Sequence, residues 1–440
     1  MKPDRYSFQV HGLSAGLALL LLTGSAPASA AKEQALYSFQ GGSDGAQPFA
    51  AMIADKSGNL YGTTNAGGSG GNCVSGCGTV FELSPPKGGS AWTESVLYSF
   101  QGGSDGANPE FPLVADAKGN LYGTTTQGGS GNCVNLQLAG CGTVFELVRS
   151  QSPGTAWTQS VLYNFQGVPG GKGNGDGAWP NGLVFGVDGS LYGFAYDGGK
   201  CKTDETGTYC YGAAFLLKKP AHGKTAWSEK IIYRFEGPSG APAGPIFDAS
   251  GNLYGTAPGG AYGYGGVFEL APGGSGMWTE SSVYDFHGNG DGAFPLPGLV
   301  FDKAGNLYDM SLGIGSGTPN VFELSPVQGG GWTQSVLVNL TGANGYDPSV
   351  GPIVSPDGTL FGTTEGGGVN GVGVVFQLVP QNGTWNETVL HDFSTGTNGS
   401  APYGGLVIGR DGALYGTTQS GGNTGCTGGN GCGVVFKVMP

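Results

Sequence analysis

Three sets of residues in this chain could do chemistry. The first is a loop of the form Asp-Gly-Ala-x-Pro, which carries Asp44, Asp105, Asp176 and Asp291. A carboxylate placed just before glycine caps the backbone N–H groups of an Asx-type turn. Several such carboxylates on one face could instead bind a cation, Ca2+ in particular, or a polar ligand, so these four are the binding candidates. The second set is eight cysteines in four near pairs, Cys73 with Cys77, Cys133 with Cys141, Cys201 with Cys210 and Cys426 with Cys432. Near pairs of this kind are either disulfides or halves of metal sites, and no histidine lies in any of these loops to complete a zinc set. The third set is His11, His222, His287 and His391. None has a nucleophile at a recognisable spacing, so no catalytic residue is assigned. The many Gly-Gly phrases match no phosphate-binding or dinucleotide fingerprint and read as turns.

The elements that position these groups follow from composition and periodicity. Of 440 residues, 91 are Gly and 26 Pro, yet 22 Phe, 19 Tyr and 7 Trp stand beside them. So many rings can repay the entropy of ordering, which a disordered chain cannot do. Glycine is then punctuation between short, ring-rich strands. Charged residues are 11% of the chain, too few for long solvated helices, and the net charge of -13 makes nucleic acid a poor partner. A helical bundle and a coiled coil are excluded on the same grounds.

Residues 1–30 read as a targeting segment. Lys2 and Arg5 precede an apolar run from about Leu13 to Leu22, and Ala28-Ser29-Ala30 fits a cleavage site. The expectation is export by a Sec-type signal cut near Ala30, giving a secreted, periplasmic or cell-surface protein. No later apolar run is long enough to span a membrane as a helix.

From there on one unit recurs seven times. Gly58-Asn59-Leu60-Tyr61-Gly62 returns six times with small changes, ending at Gly412-Ala413-Leu414-Tyr415-Gly416. Val80-Phe81-Glu82-Leu83 returns likewise, to Val435-Phe436-Lys437-Val438. A third phrase runs from Trp92 to Phe100 and is repeated from Trp157, Trp227, Trp278, Trp332 and Trp385; Trp179 is out of phase. With an inner segment, such as Gln47 to Ala54, Asn108 to Ala115 or Phe294 to Phe301, each unit predicts four antiparallel strands. Seven such units describe an all-β, seven-bladed β-propeller over residues 31–440. The phase of the repeat leaves the last blade one strand short, and the segment from about Glu33 to Phe39 has the sequence of that missing outer strand. The Asp of each Asp-x-x-Gly turn, from Asp55 to Asp411, reads as a hairpin residue. Repeat phase also selects one cysteine pairing, the local one, as four disulfides.

The unit Leu-Tyr-x-Phe, Asp-Gly-x-x-Pro, Asp-x-x-Gly-Asn-Leu-Tyr-Gly-Thr-Thr, Gly-Gly, Val-Phe-Glu-Leu resembles the GloVer tandem repeat of exported bacterial "choice-of-anchor" proteins, over about residues 36–438. The resemblance implies a secreted or cell-surface repeat protein. No sorting tail follows Met439-Pro440, a departure from the anchoring in the family name. Three functions follow as expectations, the last of them a purely structural envelope component. The first is a monomeric, non-enzymatic binder of a glycan or surface protein. The second is a propeller enzyme of lactonase or lyase type with a metal in the central channel. In either case the Cys-bearing loops and the Asp-Gly-Ala-x-Pro loops should emerge on one face, where a ligand would sit.

Overall fold

The computed structural model describes residues 33–440, apart from 89–90, 136–137, 150–156, 169–174, 205–206, 222, 238–239, 275, 314–316, 424 and 427–428. The expected signal segment, His11 and His222 lie outside the described residues. No helix among the described residues is long and apolar enough to cross a membrane.

Seven sheets of antiparallel strands follow one another along the chain. The first blade is Ile53–Ala54, Leu60–Thr64, Thr79–Ser84 and Thr93–Ser99, ordered from inside to outside. The last is Val407–Ile408, Leu414–Thr418 and Val434–Val438, and its outer strand is Gln34–Ser38 from the other end of the chain. The ring closes as the repeat phase predicts. Joining both ends of the chain in one sheet hides the edge of Val434–Val438 from foreign strands.

The repeated phrases show why each blade folds. Gly62 stands opposite Phe81, and a Cβ on Gly62 would come within 2.6 Å of Phe81 Cζ. Glycine in Leu-Tyr-Gly therefore makes room for the phenylalanine ring that fills the blade. That ring meets the phenylalanine ending the outer strand of the preceding blade: Phe39 with Phe81 at 5.2 Å, Phe100 with Phe145 at 5.1 Å, Phe393 with Phe436 at 5.0 Å. Each of these six phenylalanines is fully buried. Towards the rim, the tryptophan of one blade packs on the tyrosine of the blade before it, as Trp157 does on Tyr61 at 6.3 Å and Trp92 on Tyr415 at 5.8 Å. Edge-on ring pairs contribute about 0.5–1.5 kcal/mol each beyond the area they bury. Repeated round the ring, they make the seams between blades a large part of the core.

The innermost strands differ from the sequence expectation. In place of Gln47 to Ala54 and Asn108 to Ala115, only Ile53–Ala54 and Val114–Ala115 pair as strand. In the fifth blade the expected Phe294 to Phe301 is broken into Ala293–Pro295 and Val300–Phe301. An x-Pro step, in each Asp-Gly-Ala-x-Pro loop or its counterpart, stands at the head of every inner segment. The x residues Gln47, Asn108, Trp179, Ala241, Phe294, Asp347 and Ala401 all have φ between 53° and 60°. This step does not by itself end a strand, since Ala178–Phe185 in the third blade and Ala293–Pro295 in the fifth both run through it. The third blade alone keeps a long inner strand, Ala178–Phe185.

Candidate functional site

The four sulfur pairs form the expected local disulfides, Cys73–Cys77, Cys133–Cys141, Cys201–Cys210 and Cys426–Cys432. The Cys-bearing loops and the Asp-Gly-Ala-x-Pro loops do share one face. The N–H groups of Gln47, Asn108 and Trp179 donate to the carbonyls of Cys432, Cys77 and Cys141 in the preceding blade, each at 2.9 Å. Three of the four disulfides thus brace the loop that opens the next blade, and beside the fourth it is the Tyr211 carbonyl that accepts the Ala241 N–H at 2.9 Å.

The four candidate aspartates sit in those loops, each within its own blade junction. Asp44 Oδ2 accepts the Tyr37 hydroxyl and the Gln40 N–H, both at 2.8 Å. Asp105 accepts from Tyr98 at 2.9 Å and Gln101 N–H at 2.8 Å. Asp176 accepts from Tyr163 at 2.7 Å and Gln166 N–H at 3.0 Å. Asp291 accepts from Tyr284 and from the His287 N–H, both at 2.9 Å. No hydrogen-bond partner is shared between any two of the four. Each carboxylate clasps the outer-strand tyrosine to the turn that follows it. The Asp-x-x-Gly carboxylates behave similarly on the other face: Asp55 Oδ1 accepts the N–H groups of Ser57 and Asn59 at 2.7 and 2.9 Å.

What the ring does bring together lies on its axis. All seven blades contribute to a cavity of about 440 Å3, whose walls include Phe49, Phe111, Leu183, Val350 and Tyr403. Glu110 is the one carboxylate among the described lining residues, and no lysine, arginine or histidine is among them. Phe49 and Tyr403 face each other across the first and last blades at 4.9 Å. Phe49 and Tyr403 each directly follow the x-Pro step of their blade.

Two further compartments lie between loops of the same face, and the first of them shares Glu110 and Phe111 with the axial cavity. One, of about 340 Å3, lies between the second and third blades and is lined by Glu110, Phe111, Gln127, Trp179, Asn181 and Tyr196. The other, of about 370 Å3, lies between the sixth and seventh blades and is lined in part by Glu365, Val372 and Ser400. Ser349, on the axial wall, donates its hydroxyl to Glu365. Burial pushes the carboxyls of both Glu110 and Glu365 up to about 7, with the charge of Asp347 adding at Glu365. Tyr403 is held above its ordinary value by burial and then by the charges of Glu365, Glu110 and Asp347. The mouth is therefore an aromatic rim edged with carboxyl groups and free of positive charge among the described residues.

Sequence reasoning did not reach Phe49, Glu110, Phe111, Ser349, Glu365 or Tyr403. The signal was present as variation: the residue two places after x reads Phe49, Glu110, Asn181, Ala243, Leu296, Ser349 and Tyr403, while the strand phrases beside it barely change. Trp179, out of phase as an outer-strand residue, occupies the x position of the third blade.

No group of three or more His, Cys, Asp or Glu that could hold a metal ion occurs among the described residues. A buried acid does lie near the axis. Asp309 replaces the glycine of Leu-Tyr-Gly in the fifth blade and is fully buried. Its Oδ1 accepts the Met310 N–H at 2.7 Å, while its Oδ2 has no partner. Burial drives its pKa well above the ordinary carboxylate value.

Among solved structures the chain is similar to a fungal alcohol oxidase of the AA5 family in complex with copper, at 13% identity and TM-score 0.58, covering 93% of this chain and 77% of that one. It also matches the PQQ-bound form of an aldose sugar dehydrogenase from Streptomyces coelicolor at 13% identity and TM-score 0.42, covering 94% of this chain and 100% of that one. At such identity the likeness extends to the fold alone. No curated protein matches the chain. The Gloeobacter/Verrucomicrobia repeat model matches residues 25–208 and 298–440. A seven-bladed ring built from that repeat, over most of its length, makes this chain a member of the Gloeobacter/Verrucomicrobia repeat family.

Proposed function

We propose that this is an exported binding protein that takes its ligand, a glycan or the polar surface of another protein, at the axial mouth of its loop-rich face. The observation that carries the reading is the axial cavity, walled by apolar and aromatic side chains with a few polar groups at its edge. Such a composition is typical of ligand sites. Aromatic rings offer flat apolar faces to the C–H surface of a sugar, and Glu110, Asn181, Gln127 and Ser349 supply hydrogen bonds around them. Rigid blades hold these groups in place, which lowers the entropy lost on binding. The four aspartates support the face by shaping its turns. The metal-dependent lactonase or lyase reading would need several carboxylates or imidazoles at the axis, and the described residues do not supply that ligand set.

The test is a glycan array probed with labelled protein, comparing wild type with two variants. Ala51→Trp places an indole inside the axial cavity; Val187→Trp places one on an exposed hairpin of the opposite face. Loss of bound glycans in Ala51→Trp alone is the expected result. Equal binding by both variants would move the site away from the axis.

A further inference from the structure

We propose that the compartment between the second and third blades binds an organic ammonium group, a protonated amine carried on an apolar or sugar body. This assigns a ligand class to the mouth and rests on the reading of the mouth as the binding site. Four observations lead to it. First, Glu110 lines both this compartment and the axial cavity, and no hydrogen bond or ion pair reaches its carboxylate among the described residues. Second, Asn181 is 3% exposed; its Nδ2 donates to the Pro242 carbonyl at 2.7 Å, while its Oδ1 has no donor. An acceptor left unpaired in a buried wall costs free energy that a ligand N–H would recover.

Third, the walls between these two acceptors are rings. Trp179 and Tyr196 lie 6.3 Å apart and tilted at 41°, Tyr196 is 49% exposed, and Phe111 closes the side towards the axis. Ring faces attract a cation within about 6 Å, by about 0.5–2 kcal/mol depending on desolvation. Fourth, the compartment has no lysine, arginine or histidine among its described lining residues, so nothing there answers the carboxylate. A site with a carboxylate, an unpaired amide oxygen and π faces fits a donor-only cation. It repels anions, as does the net charge of -13. A neutral sugar would fill the rings but leave the carboxylate without a counter-charge.

The experiment is calorimetric titration of the full chain with cadaverine and with pentane-1,5-diol, its neutral counterpart of equal length. The expected result is that cadaverine binds at least tenfold more tightly, that Glu110→Gln removes this preference, and that Trp179→Ala weakens cadaverine at least severalfold. Spermidine, Nα-acetyllysinamide and glucosamine then distinguish a polyamine, a peptide lysine and an amino sugar as the source of the amine. Lowering the pH from 8 to 5 should weaken cadaverine, which stays charged, as Glu110 takes up its proton; Glu365, Asp347 and Tyr403 are the other titratable groups at the mouth. Equal affinity for the diol, no affinity for cadaverine, or an unchanged preference in Glu110→Gln would each overturn the ammonium assignment. Such a failure leaves the mouth reading intact wherever Ala51→Trp still abolishes glycan binding; only indifference to Ala51→Trp defeats both.

Discussion

Gly142 and Pro180 stand so close across the seam between the second and third blades that a Cβ on Gly142 would lie 2.7 Å from the proline Cδ. The same contact recurs between Gly78 and Pro109 and between Gly212 and Pro242, each at 2.7 Å. At six of the seven seams the proline after the left-handed residue thus docks on the glycine that opens the third strand of the blade before it; between the fifth and sixth blades Pro319 stands in that glycine's place. Inter-blade spacing is set at this point, just outside the axial wall.

Replacing Gly142 with alanine should therefore cost far more than an ordinary loop substitution. Its φ is +90°, and the new Cβ would also meet the Thr125 carbonyl oxygen at 2.3 Å. The left-handed conformation alone costs about 1–2 kcal/mol for an L-residue. Gly119, with φ of +83° and nothing within 4 Å, isolates that component. Urea denaturation should show Gly142→Ala losing at least about 2 kcal/mol more than Gly119→Ala, in the range of severe core defects. Equal losses would mean that the glycine–proline contact does not set the seam.

Removal of residues 31–40 should sharply lower the thermal midpoint. The segment supplies the Gln34–Ser38 strand, and Phe39 within it is fully buried against Phe81. Losing that ring by itself corresponds to about 3–5 kcal/mol. An unchanged midpoint would show that the last blade does not depend on its N-terminal strand.

Stability should rise on mild acidification. Burial, with the charge of Asp44 adding, pushes Glu94 from its ordinary 4.5 up to about 7, and burial with Asp176 does the same to Glu229. Because these folded-state values exceed the unfolded ones, the folded chain holds more protons between about 4.5 and 7, and stability falls as pH rises through that window. Two blades already carry the neutral alternative at the same position: Gln159 Nε2 donates to the Asp105 carbonyl at 3.4 Å and Gln334 Nε2 to the Asp291 carbonyl at 3.0 Å. Glu94→Gln with Glu229→Gln should raise the melting temperature at pH 8 and flatten its pH dependence. Scanning calorimetry from pH 5 to 8 decides it, and a midpoint that climbs with pH in the wild type would contradict the assignment.

Asp309 should add to the same slope from a different place. It must keep its proton to stay buried, so its contribution to stability diminishes as pH rises through its elevated pKa. Asp309→Asn preserves size and removes the ionisable proton. The variant should melt higher than wild type at alkaline pH and close to it at pH 5. A variant that is less stable at every pH would show that the acid itself, rather than its volume, is needed in the fifth blade.

The amino-acid sequence by itself determined the blades, their number, the closing strand and the sulfur pairing. All four depend on contacts that recur in each repeat or lie close along the chain. Leu-Tyr-Gly faces Val-Phe-Glu-Leu in every unit, Cys133 is 8 residues from Cys141, and the phrase missing from the seventh unit stands intact at Leu36-Tyr37-Ser38-Phe39. The turn role of Asp44, Asp105, Asp176 and Asp291 was legible for the same reason, since each binds a backbone N–H four residues away, or ten at Asp176. Tertiary structure alone decided what meets at the axis. Phe49, Glu110, Leu183, Ser349 and Tyr403 come from five different blades and share no motif, because the residues that give a symmetric ring its particular surface are those that do not repeat. Only closure of the ring, which joins the first blade to the last through Phe49 and Tyr403, places them around one cavity. The left-handed turns at the x residues were not legible for a related reason: in six of the seven blades the x residue's N–H is held by a carbonyl of the preceding blade, as Gln47 N–H is by Cys432, and that neighbour exists only in the folded ring.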